Sequence, residues 1–167
     1  MDKTVTLEEI LECREQRAVY QQFLLEKYDL PIISFTVVMP GPCKQNAMSE
    51  KIFCQGKNAI ESSLDGSLIR FKSEKAEKTG YEAFYVVDMP VEKLKKLTAA
   101  IEDGGRIGRL YDIDVIGKDG VPVSRTAYGL PERKCLICGS PAHMCSRSRK
   151  HSVDELLEEI EKVLKDE

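Results

Sequence analysis

The spacing of apolar residues changes several times along the chain, and each change marks an element. Leu7, Ile10, Leu11, Ala18, Leu24, Leu25 and Tyr28 recur at helical spacing. Thr6, with Glu9 three residues on, is a capping-box signal, so a helix is expected from there to about residue 28. Pro31–Met39 is dense in Ile, Phe and Val and ends at Pro40-Gly41-Pro42, which cannot continue a ladder; it reads as a strand. Asn46 to about Ser63 reads as a helix with Met48, Ile52, Ala59 and Ile60 inward. Asp65-Gly66 is a turn, Ser67–Phe71 a short strand, polar residues 72–80 a loop, and Tyr81–Val87 a second strand. Pro90 suits a helix start, and Val91, Leu94, Leu97 and Ile101 carry that helix to Asp103-Gly104-Gly105. Arg109–Ile116 is a further strand, closed by Lys118-Asp119-Gly120. Residues 124–151 are irregular, and Ser152–Lys165 is an amphipathic helix with Val153, Leu156, Leu157, Ile160 and Leu164 inward.

The middle of the chain therefore runs β-α-β-β-α-β. That order predicts an α+β fold with a ferredoxin-like antiparallel sheet and helices on one face. The N- and C-terminal helices and the irregular Cys-containing segment at 124–151 are additions to it. No repeat or linker divides residues 1–167, so one domain is expected.

Composition narrows the class. Hydrophobic residues make up 42% and charged residues 32% of the chain, the balance of a globular protein. A formal net charge of −3 speaks against a nucleic-acid binder. No apolar run approaches the roughly 20 residues of a membrane span. The opening Met-Asp-Lys-Thr-Val-Thr-Leu-Glu-Glu does not read as a secretory signal, so a cytoplasmic protein without membrane contact is expected. Of six cysteines, Cys13, Cys43 and Cys54 are scattered, whereas Cys135, Cys138 and Cys145 cluster. Without a secretory context such a cluster points to metal or redox chemistry rather than a disulfide framework.

Strand alternation gives Asp112 and Asp114 their meaning. Tyr111, Ile113 and Val115 fall on one face and can pack under helices, leaving the two carboxylates together with Leu110 and Ile116 on the other. Their Cα atoms would be roughly 7 Å apart. Two ionised carboxylates at that distance repel unless a cation lies between them. Mg²⁺, which binds one or two carboxylates plus substrate phosphates, is the natural candidate. Two solvated aspartates on an open sheet face are the plainer alternative. Against it, Asp is disfavoured inside strands, and the preceding Gly104-Gly105 and Gly108 would let a ligand approach the backbone.

Cys135, Cys138, Cys145 and His151 form the pattern C-x2-C-x6-C-x5-H, sufficient for a tetrahedral structural Zn²⁺ site. His143 is a competing fourth ligand, but it lies only two residues from Cys145. A Cys135–Cys138 redox pair and a small core of reduced thiols are the alternatives. The same segment carries Arg125, Arg133, Lys134, Arg147, Arg149 and Lys150 against one acid, Glu132, a local excess of five positive charges in a net-negative chain. This is either a solvated basic face or a phosphate clamp, for which arginine forks are suited. Lys44, after the Pro-Gly-Pro turn, is a further phosphate candidate or a plain surface lysine.

Taken together, Gly108-Arg-Leu-Tyr-Asp-Ile-Asp-Val115, Ser124-Arg125, Arg133-Lys-Cys-Leu-Ile-Cys138, Ala142, Cys145, Arg147 and His151-Ser152 resemble the apo-citrate lyase phosphoribosyl-dephospho-CoA transferase family, also called citrate lyase holo-acyl-carrier-protein synthase. Ser34-Phe-Thr-Val-Val-Met-Pro-Gly-Pro-Cys-Lys44 looks like the family's first strand and turn, and the resemblance spans roughly residues 7–160. It implies a nucleotidyltransferase-type enzyme. Such an enzyme moves the phosphoribosyl-dephospho-CoA moiety of triphosphoribosyl-dephospho-CoA onto a serine of the citrate lyase acyl carrier subunit, with pyrophosphate leaving. Under that implication Asp112 and Asp114 are catalytic and hold Mg²⁺, and one of them helps deprotonate the serine. Lys44, Arg109, Ser124, Arg125, Arg133 and Arg147 contact the substrate. The competing class is a non-catalytic module: a zinc knuckle on an RRM-like sheet, binding RNA or protein. On that sheet the carboxylates would repel RNA.

Overall fold

The structure is a computed structural model that describes residues 4–167. Helix α1 (Leu7–Tyr28) precedes strand β1 (Ile32–Val37), helix α2 (Ala47–Ser63), strands β2 (Ile69–Glu77) and β3 (Gly80–Val87), helix α3 (Val91–Asp103) and strand β4 (Tyr111–Ile116). A short helix α4 (Ala142–Ser148) and a final helix α5 (Val153–Asp166) follow. The three long helices α1, α2 and α5 each begin at a capping box, formed by Thr6 with Glu9, Asn46 with Ser49, and Ser152 with Glu155.

The sheet order is β2-β3-β1-β4 with every neighbouring pair antiparallel, the expected ferredoxin-like arrangement. Ile33, Phe35, Tyr85, Tyr111, Ile113 and Val115 join α2, α3 and α5 in the main core. Gly56 sets how closely α2 approaches. A Cβ there would lie 2.2 Å from Phe35 Cζ, so any side chain would push the helix off the sheet.

Three expectations change. First, while α2 and α3 share one face as expected, the added helix α1 does not join them. α1 lies across the other, where Leu24 and Leu25 pack on Ile32, Phe84, Val86 and Ile116. Over the rest of that face α1 turns polar side chains inward: Arg17 reaches Glu82 and Gln21 reaches Ser34. Leu7 and Leu11, expected inward, are 74% and 48% exposed, because the sheet beneath that half of the helix is polar. Second, residues 72–77 are strand, not loop. Their alternating polar residues pair with β3 as far as Glu77–Gly80. Third, β4 starts at Tyr111. Residues Ile107–Leu110 form a 3-10 turn that breaks the alternation, so Leu110 packs in the main core rather than beside the aspartates. Gly108 is needed there for packing and not for a ligand: a Cβ would lie 2.5 Å from the Glu102 carbonyl oxygen.

Candidate active site and metal centre

On the α1 side of the sheet, neighbouring residues form rows across the strands. Asp112 stands opposite Thr36, and Thr36 opposite Glu82; Asp114 stands opposite Ser34. The apolar row at Ile116, Ile32 and Val86 lies under the C-terminal half of α1. The polar rows face its N-terminal half and the β4 edge. Asp112 remains 44% exposed, accepts from Arg133 Nη1 at 3.2 Å and lies 3.4 Å from the Thr36 hydroxyl. Asp114 is partly buried, and its pKa is pushed up to about 6. Burial is the main cause, and the charge of Asp112 adds to it; Lys95 and Arg133 pull the other way. A carboxyl with that pKa is ionised near neutrality yet still accepts a proton readily.

Glu82 belongs to the same surface and was not singled out from sequence. It is buried, accepts from Arg17 Nε at 2.7 Å and receives the Cys13 thiol at 3.2 Å. Only the β1–β3 register brings Glu82 level with Asp112, across more than sixty residues of chain separation from Arg17.

The β4 edge is held from outside. The backbone N–H of Ile113, between the two aspartates, donates to Glu102 Oε1 at 2.9 Å. Glu102 Oε2 accepts from Arg125 Nη2 at 2.5 Å, and Arg125 Nη1 donates to both Asp103 oxygens and to the Pro131 carbonyl. Arg125 is thus buried and committed to the protein's own acceptors. Arg133 straps the same edge: Nη2 donates to the carbonyls of Tyr111 and Arg109, and Nη1 to Asp112.

Residues 133–151 fold around the cysteines. The Cys135 N–H donates to the Ser140 carbonyl at 2.7 Å, and Gly139 takes φ 70°, which closes the turn between Cys135 and α4. Cys145 sits on α4 with its sulfur 3.4 Å from that of Cys138. The Cys135, Cys138 and Cys145 sulfurs and one His151 ring nitrogen lie within 4.8 Å of one another. Zn–S and Zn–N bonds of about 2.3 and 2.0 Å put tetrahedral donors at such separations. His151 Nε2 is buried with no hydrogen-bond partner among the described residues. Hydrogen bonds from Ser140 and His151 favour the Cys138 thiolate, whereas burial pushes the Cys145 thiol up. The cluster can hold a metal ion; four converging donors distinguish it from a two-cysteine redox pair. His143 is exposed and lies outside it.

Between this segment, the end of β1 and α5 lies a cleft of about 980 Å³. Arg109, Arg125 and Arg133 line it, as do Lys134 and Arg149. Three sequence candidates do not. Lys44 is half-buried and donates to the Met39 carbonyl at 2.5 Å. Ser124 caps the 3-10 turn Arg125–Tyr128 by accepting from the Ala127 N–H. Arg147 is exposed on α4.

The family model for apo-citrate lyase phosphoribosyl-dephospho-CoA transferase matches residues 5–167 of this chain. The chain belongs to that family. A relative from Vibrio cholerae serotype O1, named a probable apo-citrate lyase phosphoribosyl-dephospho-CoA transferase, is 41% identical over 168 residues, covering 99% of this chain and 94% of its own. Relatives from Shigella boydii serotype 18 and Escherichia coli O157:H7, named apo-citrate lyase phosphoribosyl-dephospho-CoA transferase, are 34% identical over 164 residues, covering 97% of this chain and 90% of theirs. Among the described residues no helix of this transferase-family chain is long and apolar enough to cross a membrane. The RRM-like alternative finds no support either, since α1 occupies the sheet face on which bases would stack.

Proposed function

We propose that this chain transfers the phosphoribosyl-dephospho-CoA group of triphosphoribosyl-dephospho-CoA to a serine of the citrate lyase acyl carrier subunit. The observation that carries the reading is the half-buried carboxylate pair on the β4 edge, joined by Arg133 to a cationic cleft. The serine oxygen attacks the phosphorus nearest the ribose, forming a phosphodiester. The bond from that phosphorus to the bridging oxygen breaks, and pyrophosphate leaves with its electron pair. One of the two carboxylates, Asp112 or Asp114, takes the serine proton. Asp112 and Asp114 would hold Mg²⁺, which neutralises phosphate charge when bound. Arg133, within reach of both Asp112 and the cleft, orients the polyphosphate.

We assign Zn²⁺ to Cys135, Cys138, Cys145 and His151, on the sulfur-rich donor set and the convergence of its four donor atoms. Six cysteines without a disulfide fit a reducing compartment, so the reading places the enzyme in the cytoplasm as one transferase domain.

The test is incubation of apo carrier subunit with the protein, triphosphoribosyl-dephospho-CoA and Mg²⁺. The carrier should gain the mass of phosphoribosyl-dephospho-CoA, with one pyrophosphate released per carrier. A carrier of unchanged mass rejects the reading. A modified carrier whose acceptor serine has been replaced by alanine rejects the serine.

A further inference from the structure

The cleft combines two chemistries on separate surfaces. Its floor is aliphatic, from Met39, Leu110, Leu136, Leu156 and Ile160. Its rim carries Arg109, Lys134 and Arg149 in addition to Arg133. Among the described residues Arg109, Lys134 and Arg149 form no ion pair, and Glu132 is the one acid lining the cleft. Arg109 spends one donor on the Cys135 carbonyl at 3.1 Å. Guanidinium and ammonium groups gathered against a single acid above an apolar floor suit a ligand with an anionic middle and an apolar arm. The volume is that of a site for a nucleotide-sized molecule.

We infer that this cleft binds the dephospho-CoA part of the substrate, its diphosphate against Arg109, Lys134 and Arg149 and its pantetheine arm along the aliphatic floor. The inference rests on the transfer reaction proposed above and adds the residues that select the donor. Orientation follows from Arg133. It lines the cleft while its Nη1 holds Asp112, so the triphosphate end of a ligand seated here emerges beside the carboxylates. The cleft wall is built by the cysteine segment, since Cys135, Cys145 and His151 belong both to the wall and to the donor cluster. The segment therefore shapes a recognition site as well as closing a loop.

Two variants probe the cleft with little risk to the fold. Arg149 has φ 48°, a left-handed conformation that glycine adopts freely, so Arg149→Gly removes the cation without backbone strain. Leu156 is partly buried at the cleft, and Leu156→Trp fills it from α5. Binding of dephospho-CoA and of inorganic triphosphate is measured by calorimetry on the full chain. The transfer assay then gives KM and kcat, and melting curves report the fold. Loss of one charge-assisted hydrogen bond corresponds to about tenfold in affinity. Arg149→Gly should therefore weaken dephospho-CoA binding about tenfold, and Leu156→Trp at least as much. Triphosphate binding and kcat should stay within about twofold of the parent, the rise falling on KM.

The inference is overturned if folded Leu156→Trp binds dephospho-CoA like the parent, or if the parent binds none. It is also overturned if Arg149→Gly raises KM for the carrier alone, which would make the rim a carrier-docking surface. A parent that binds dephospho-CoA in a Leu156-dependent way but never modifies the carrier leaves this inference standing and rejects the transfer reading. A parent that modifies the carrier with Leu156→Trp kinetics unchanged does the reverse.

Discussion

Asp112 and Asp114 ride on a strand whose other face is core, whereas Arg133 to His151 belong to a segment with little core of its own. On β4, Tyr111, Ile113, Val115 and Ile116 are all buried, and each such side chain contributes about 1.5–3 kcal/mol. Between residues 133 and 151 the buried apolar residues are Cys135, Leu136 and Cys145. The strand is positioned by burial and a ladder to β1; the segment relies on converging donor atoms and a few turns. The contrast suits the two roles proposed for them. Catalytic carboxylates need fixed geometry, which a packed strand supplies. A donor-binding wall needs shape, which a metal held by the cysteines and His151 would supply to a loop too short of hydrophobic surface to hold itself.

Arg133 is where the regions meet, so breaking it should affect both at once. Arg133→Ala removes the strap on Tyr111 and the partner of Asp112, and transfer should fall roughly 10²–10³-fold. A loss below about tenfold would mean that strand and segment work independently. Next is the clamp on the strand. Glu102→Ala leaves Arg125 buried and the Ile113 N–H without its acceptor, a loss of about 3 kcal/mol by chemical denaturation. A stability change under about 1 kcal/mol would show that β4 holds its place without the clamp.

Stripping metal separates the regions from the other side. After chelation, hydrogen exchange should quicken across residues 133–151 while β1, β3 and β4 keep their protection. Uniform loss across the sheet would mean that the segment supports the whole fold. The smallest effect is on pH. Asp114 must be ionised to act, so kcat/KM should fall as pH falls, with the fall beginning below pH 6 because bound Mg²⁺ favours the ionised carboxylate. The stability sign is opposite. The folded state holds this proton more tightly than the unfolded chain, so the group's contribution to stability declines as pH rises between about 4 and 6. Asp114→Asn should therefore abolish the acid limb of this stability change, as seen in melting curves across that range.

How well each region could be read from sequence follows the same division. β4 was legible because alternation is a local rule: Tyr111, Ile113 and Val115 face the core as the pattern requires. The Thr6–Glu9 capping box and the Cys/His spacing are equally local, and the structure contains both. Glu82 and Arg17 were not legible, because a strand register and a helix from elsewhere in the chain bring them beside Asp112. The inward polar face of α1 was missed for a related reason. Leu7 and Leu11 read as core until the sheet beneath them proves polar. Arg125 looked like any other member of a basic stretch; only the meeting of α3 with the 3-10 turn commits it to Glu102 and Asp103. Residues 72–77 have loop-like composition and become strand because β3 offers them a partner.

The measurement that tests the account most directly is timed mass spectrometry of the carrier subunit with the parent, Asp112→Asn and Asp114→Asn, alongside melting curves at pH 8. The account predicts both variants folded, with Asp114→Asn melting at or above the parent because a buried repulsive charge is gone. It also predicts carrier modification slowed by about 10³-fold in each. Folded variants that modify the carrier within about tenfold of the parent rate would contradict it.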